Sequence, residues 1–165
     1  MHLFNSKKPN IDAVFLQYGD TIYRVALARL ANDADAQDVM QDVFVKYISK
    51  NPSFNDSDHQ KAWFIKTAIN CCNDVVRRQR HANHLPLDTA YNVAAKDDNV
   101  SDLLSLLAQL PPIYKDVVIL HSLEGFTLEQ TAKILKISLS AAKMRLSRAR
   151  EILKILRKEE DDVQR

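Results

Sequence analysis

Between Lys143 and Lys158 the chain places Lys143, Arg145, Arg148, Arg150, Lys154, Arg157 and Lys158, with Glu151 as the single opposing charge. Cations at this density neutralise phosphates and displace their counterions, and such side chains on a helix reach base edges in a major groove. The chemistry they suit is recognition rather than bond-making. No nucleophile elbow, phosphate-binding loop, metal-ligand spacing or dinucleotide fingerprint occurs in the sequence. His81 and His84 stand beside an aperiodic stretch with no carboxylate fixed nearby to form an acid–base pair. Asp33, Asp35, Asp38 and Asp42 match a calcium loop only in charge, because its glycine and terminal glutamate are missing. No catalytic residue, metal or cofactor is expected, and the chain is read as a binding protein rather than an enzyme.

The elements around the basic stretch set out a helix-turn-helix. A helix carrying Ile113, Val117, Val118, Leu120 and Leu123 opens at Pro111-Pro112, where proline fits a first turn. It ends at Gly125, the natural left-handed residue after a helix. Thr127 with Gln130 forms a capping-box pattern for a short helix containing Leu128, Ala132 and Leu135. A tight break near Lys136 leads into the long basic helix, whose inner side is Ala142, Leu146, Ala149, Ile152, Leu153 and Leu156. Upstream, Leu103, Leu104, Leu106, Leu107 and Leu110 belong to one more helix.

The other half of the chain is helical too. Ile11, Val14, Phe15, Tyr18, Ile22, Val25, Ala26 and Leu30 recur at helical intervals, and this helix ends near Ala31-Asn32. The next, capped by Asp33 or Asp35, has Ala36, Val39, Met40, Val43, Phe44 and Tyr47 on its apolar side. Asp35, Asp38, Gln41, Asp42 and Lys46 form its other side. Ser49 to Asp58 reads as a loop. A third helix from about His59 to His81 buries Ala62, Trp63, Ile65, Ile69, Cys72, Val75 and Val76. It finishes in Arg77-Arg78-Gln79-Arg80, cations that its dipole favours.

The predicted fold class is therefore all-α: two small helical domains joined by a flexible linker, the second a helix-turn-helix. The expected boundaries are 1–82 for the first domain, 83–99 for the linker and 100–165 for the second. Two glycines and five prolines in 165 residues leave few helix breakers, and 46% hydrophobic with 27% charged residues is an ordinary globular composition. Cys71 and Cys72 are adjacent and alone, so no disulfide framework is possible, and they are expected as buried or half-buried thiols in a helix. The absence of a long apolar run predicts no membrane insertion by this chain, and the polar start predicts no signal peptide, which fits a cytoplasmic location.

Three segments carry a family resemblance. Asp33 to Tyr47 (DADAQDVMQDVFVKY) resembles the polymerase-binding helix of bacterial sigma factors. Trp63 to Asn70 (WFIKTAIN), running on to Arg77-Arg78, resembles their helix that engages the promoter −10 element. Leu110 to Tyr114 (LPPIY), Leu128 to Leu135 (LEQTAKIL) and Lys143 to Arg150 (KMRLSRAR) resemble the domain that reads the −35 element. The chain is similar in this to the extracytoplasmic-function (ECF) class, which has these two domains alone, and the resemblance covers about residues 11–158.

The resemblance implies a promoter-specificity subunit that binds core RNA polymerase, recognises promoter DNA at both elements and promotes initiation. It assigns polymerase docking to Asp38, Gln41, Asp42 and Phe44. It assigns the −10 element to Trp63, Lys66, Asn70, Arg77, Arg78 and Arg80, with a flipped base held near the loop Asn51 to Gln60. Trp63 and Phe64 are candidates to stack on bases, although the place of Trp63 in the apolar stripe favours a core role. It assigns the −35 element to Ser140, Lys143, Met144, Arg145, Ser147 and Arg148, with Arg148 or Lys143 reading guanine. Arg145 and Arg150 suit phosphates or intradomain ion pairs better than bases. An anti-sigma partner is implied as well. The chain departs from the family pattern at Lys136, where glycine is common, at Ser140-Ala141-Ala142 and at Asp42. The competing expectation is a stand-alone regulator that binds an operator as a dimer.

Overall fold

The computed structural model describes residues 10–83 and 98–163. Seven α-helices make up the described chain: α1 (Ile11–Leu30), α2 (Asp33–Lys50), α3 (Ser57–Asn83), α4 (Asp98–Gln109), α5 (Pro112–Val118), α6 (Leu128–Leu135) and α7 (Leu139–Val163). Among the described residues there is no strand, and no helix is long and apolar enough to cross a membrane. The expected linker 83–99 lies mostly outside the described residues. Its ends do not: Asn83 closes α3, and Asp98 and Asn99 open α4.

Local signals explain the helix ends. Asn10 and Asn32 cap α1 and α2, each accepting a hydrogen bond from a backbone N–H three residues on, Ala13 at 3.2 Å and Asp35 at 2.9 Å. Ala31 (φ 52°) and Asn51 (φ 42°) close the same helices in the left-handed region. Most helix bounds fall within two residues of the periodicity. The exception is the helix expected to run to Gly125. It is α only to Val118, then widens into a π turn over Ile119–Leu123. There Glu124 N–H donates to Ile119 C=O at 3.0 Å. Gly125 (φ 75°) follows, and Phe126 N–H donates back to Leu120 C=O at 3.1 Å. The extra residue in the turn swings Glu124 inward.

α1, α2 and α3 pack around an aromatic centre in which Tyr18, Phe44 and Tyr47 surround the fully buried Phe64. α4, α5 and the π turn bury Leu107, Val117, Ile119 and Leu120 against Leu146 and Ala149 of α7. The two groups join into one continuous core, because α1 lies against α4 and α5 while α3 meets α6. The sequence suggested two bodies free to move on a linker. The described structure holds them together. Cys71 and Cys72 are buried in α3, and burial pushes the Cys72 thiol up to about 12.

Candidate polymerase and nucleic-acid interfaces

The outer face of α2 is fixed at its start by side-chain contacts. Tyr23 OH and Gln37 Nε2 donate to the Asp33 carboxylate, and Gln79 Nε2 of α3 donates to Asp35 at 2.9 Å. One turn later Asp38, Gln41 and Asp42 are exposed. Phe44 is not. It is 7% exposed, with its ring 5.0 Å from Phe15 and 5.7 Å from Phe64. At about 100° per residue it lies well off the side that carries Asp38 and Asp42. The apolar residues on that side are Val45 and Ile48, 62% and 55% exposed. Their signal in the sequence was two aliphatic residues in register with a polar face.

The loop before α3 is held by ring contacts. Phe54 lies 6.0 Å from Trp63 and 5.4 Å from His59, centroid to centroid, and Asp56 caps α3 by accepting from His59 N–H at 2.7 Å. Trp63 is half-buried, edge-on to Tyr47, Phe54 and Phe64. Phe64 is fully buried, so stacking of Phe64 on a base is excluded in this fold. Trp63, Lys66, Asn70 and Arg77 follow at helical intervals along one side of α3. Asn70 and Arg77 are exposed and Lys66 half-buried. Arg77 pairs with Asp74 on the helix surface. Arg80 is half-buried near the same line, and Arg78 is exposed about 100° round from Arg77.

The helix-turn-helix is built as its local chemistry requires. Thr127 and Gln130 exchange side-chain-to-backbone hydrogen bonds at 3.1 and 2.9 Å, which starts α6. Lys136 (φ 55°) turns the chain in the left-handed region, and Ser138 Oγ accepts from Ala141 N–H at 3.0 Å to start α7. Ala142, Leu146 and Ala149 are buried, so the opposite side presents Ser140, Lys143, Met144, Ser147 and Arg148, all exposed. Arg148 pairs with Glu151 at 3.3 Å, both mostly exposed. Arg145 is half-buried; burial pushes the Asp116 carboxyl of α5 above the usual carboxylate range, and the charges of Arg29, Lys115 and Arg145 partly offset that.

Comparison with known proteins gives the arrangement its context. A Sigma-70 region 2 model matches residues 14–82 and a Sigma-70 region 4 model matches residues 101–153. The RNA polymerase sigma factor SigV of Bacillus subtilis is 30% identical over 142 residues, covering 84% of this chain and 86% of SigV. The chain belongs to the ECF class of RNA polymerase sigma factors. CarQ, a sigma factor of Myxococcus xanthus, is 31% identical over 138 residues, 79% of either chain. Among solved structures, the sigma factor RpoE of Bartonella quintana, crystallised with the anti-sigma factor NepR, shares the fold at TM-score 0.77 and 22% identity, over 90% of this chain and 97% of RpoE. CnrH, solved with the cytosolic domain of CnrY, shares it at 0.69 and 23%, over 90% and 88%. This sigma factor is thus a promoter-specificity subunit for transcription initiation, and the family is one of initiation factors rather than enzymes.

A further group of charged residues was missed from sequence. Arg24 and Arg29 of α1 and Lys61 of α3 reach across to Glu124 and Asp116. Nothing in the sequence around Arg24 and Arg29 distinguishes them from an ordinary solvated helix face. Glu124 did carry a signal: an acid in the last turn of a helix opposes the helix dipole unless something else holds it.

Proposed function

We propose that α2 docks on core RNA polymerase through Asp38, Gln41 and Asp42 together with Val45 and Ile48. Phe44 supports that face from beneath. The stripe Lys66, Asn70, Arg77 and Arg80, with Arg78 beside it, takes the single-stranded and backbone contacts at the −10 element. Phosphate contacts there set position and carry no sequence information. The loop held by Phe54 and Trp63 borders the pocket for an extruded base. Ser140, Lys143, Met144, Ser147 and Arg148 enter the −35 major groove, with the half-buried Arg145 beside them for a backbone phosphate. Residues 1–82 and 100–165 act as the two recognition domains, joined by 83–99. An anti-sigma protein is a further partner, a reading supported by the complexes of RpoE with NepR and of CnrH with CnrY's cytosolic domain. The working compartment is the cytoplasm, where bacterial polymerase acts.

The observation that carries this reading is the coincidence of exposure with candidate residues on three helices. The buried positions of α2, α3 and α7 turn inward and leave the polar candidates outward. The test is run-off transcription by bacterial core polymerase on a pooled promoter library, with and without this sigma factor. Protein-dependent transcripts sharing two spaced upstream elements support the reading. A chain that fails to bind core and shifts a palindromic duplex by itself would instead be an operator-binding regulator.

A further inference from the structure

The exposed side of α7 carries one large apolar side chain in the middle of polar ones. Met144 is 61% exposed. At about 100° per residue, the buried Ala142 and Leu146 lie about 160° from it and the buried Ala149 about 140°. Met144 therefore points almost straight out of the domain, away from the core. Ser140 and Ser147, its close companions on one flank, are exposed and short. They leave the thioether as the outermost point of this stretch of helix.

The cations are ranged on either side of it. Lys143 and Arg150 lie about 100° and 120° round the helix in one direction, and Arg145 about 100° in the other. Arg148 follows one turn later, about 40° off the Met144 line. A helix seated in a major groove, roughly 12 Å wide, has phosphate walls at its flanks and base edges at its front. Flank cations meet phosphates and set position. The front residue meets the floor. Among the described residues of α7, the other exposed large apolar side chains are Ile155 and Val163. They stand roughly 16 and 28 Å further along the axis, past the width of the groove.

The floor of a major groove offers a single apolar group. Base edges present acceptors at N7, O6 and O4 and amine donors at N4 and N6, and thymine adds its C5-methyl. A thioether is only a weak acceptor. Pressed against a polar edge it removes water and returns no hydrogen bond, which is unfavourable. Against the thymine methyl it buries apolar surface on both partners. One side chain thus attracts thymine and rejects the alternatives, the two halves of a specific contact.

We propose that Met144 is a specificity determinant of this sigma factor and reads the C5-methyl of a thymine in the −35 element. The proposal rests on the −35 assignment of α7 given above. Arg148 stands about 6 Å further along the axis, and base pairs repeat at about 3.4 Å. The thymine therefore lies, on either strand, within about two base pairs of the base that Arg148 reads.

The test is transcription initiation by core polymerase with the full-length sigma factor, at limiting holoenzyme, on a promoter recovered from the pooled library. Each thymine of the upstream element, on both strands, is replaced in turn by deoxyuridine, which removes the methyl and keeps the hydrogen-bonding edge. Burial of one methyl is worth about fourfold in binding. Uracil at one position is expected to lower wild-type initiation about fourfold. Met144→Ala is expected to use the thymine and uracil templates equally, and Met144→Leu to keep the preference. Circular dichroism is expected to show the same helix content in all three chains, because Met144 stands outside the core. Wild type that uses uracil as well as thymine at every position overturns the proposal. So does a Met144→Ala chain that keeps the wild-type ratio, or an upstream element with no thymine within about two pairs of the base lost with Arg148→Ala. A promoter whose upstream element can be scrambled without loss removes the −35 assignment of α7, and Met144 with it. A promoter that needs the element but ignores the methyl removes Met144 alone.

Discussion

Phe44 and Val45 are neighbours in sequence with opposite expected consequences. Phe44 is 7% exposed and packs between Phe15 and Phe64, so Phe44→Ala removes a ring from the centre of the first domain. Truncating a buried phenylalanine costs about 3–5 kcal/mol. For a chain of this size that is a fall of roughly 10 °C in Tm. Val45 is 62% exposed, and Val45→Asp is expected to leave stability within about 0.5 kcal/mol. The same change puts a charge at the centre of an apolar contact in the proposed polymerase interface, where burying it unpaired costs several kcal/mol. Core binding is then expected to weaken at least tenfold. Thermal unfolding by circular dichroism and titration of labelled sigma factor with core polymerase separate the two. Phe44→Ala at low temperature, still folded, is expected to keep most of its affinity. A stable Phe44→Ala chain that cannot bind core, or a Val45→Asp chain that binds normally, refutes the assignment of sides on α2.

Other predictions follow from the same geometry. Arg148→Ala gives up only a surface ion pair with Glu151, so the folded chain is expected to be unaffected while discrimination at one −35 base falls by about 1–3 kcal/mol, read from transcription on single-base promoter variants; equal loss on every sequence would make Arg148 a phosphate contact. Lys66→Ala and Arg77→Ala are expected to weaken promoter binding on all sequences alike, each reducing the slope of log affinity against log salt by up to about one unit. Lys115 is buried in α5 with its amine donating to Ala108 C=O at 3.4 Å, and burial lowers it from 10.5 to about 8. Between these values the unfolded chain holds a proton the folded chain has released, so this group's contribution to stability rises with pH from about 8 to 10.5. Lys115→Met is expected to flatten that part of the stability curve, and denaturant unfolding at a series of pH values checks the slope.

Much of the fold is legible from neighbouring residues alone. The Thr127–Gln130 box, the stop at Gly125 and the left-handed turn at Lys136 depend on a few adjacent positions, and each stands where those positions put it, whereas the cap of α2 falls on Asn32 rather than on Asp33 or Asp35, because Asn32 is the residue left outside the helix with its side chain facing the Asp35 N–H. The face of α7 was legible for the same reason, because periodicity alone decides which side is buried, and so was most of α3, though not Phe64, which its neighbours Tyr18, Phe44 and Tyr47 from other helices enclose. Phe44 was not. Its type fits either a core or an apolar contact, and only the ring of Phe15 from another helix decides. The ion pairs from α1 to Asp116 and Glu124 are further still from local reading: Arg29 meets Asp116 across 87 residues and Arg24 meets Glu124 across 100. The π turn belongs with these pairs, since no residue between Ile119 and Leu123 calls for a wider turn, and what it gains is a partner for Glu124 elsewhere in the chain.

A π turn differs from an α turn by a single residue, which makes the stretch from Ile119 to Leu123 a place where genetic length and molecular geometry meet. Loss of one codon there would let the helix continue as a regular α-helix, with its apolar side still largely served. Everything after it would rotate by about 100°. The acid before Gly125 would then point away from the first domain. The smallest possible deletion could thus spare the recognition helix and its turn while uncoupling them from the rest of the protein, so the length of this segment is itself inherited information about how the two halves are held.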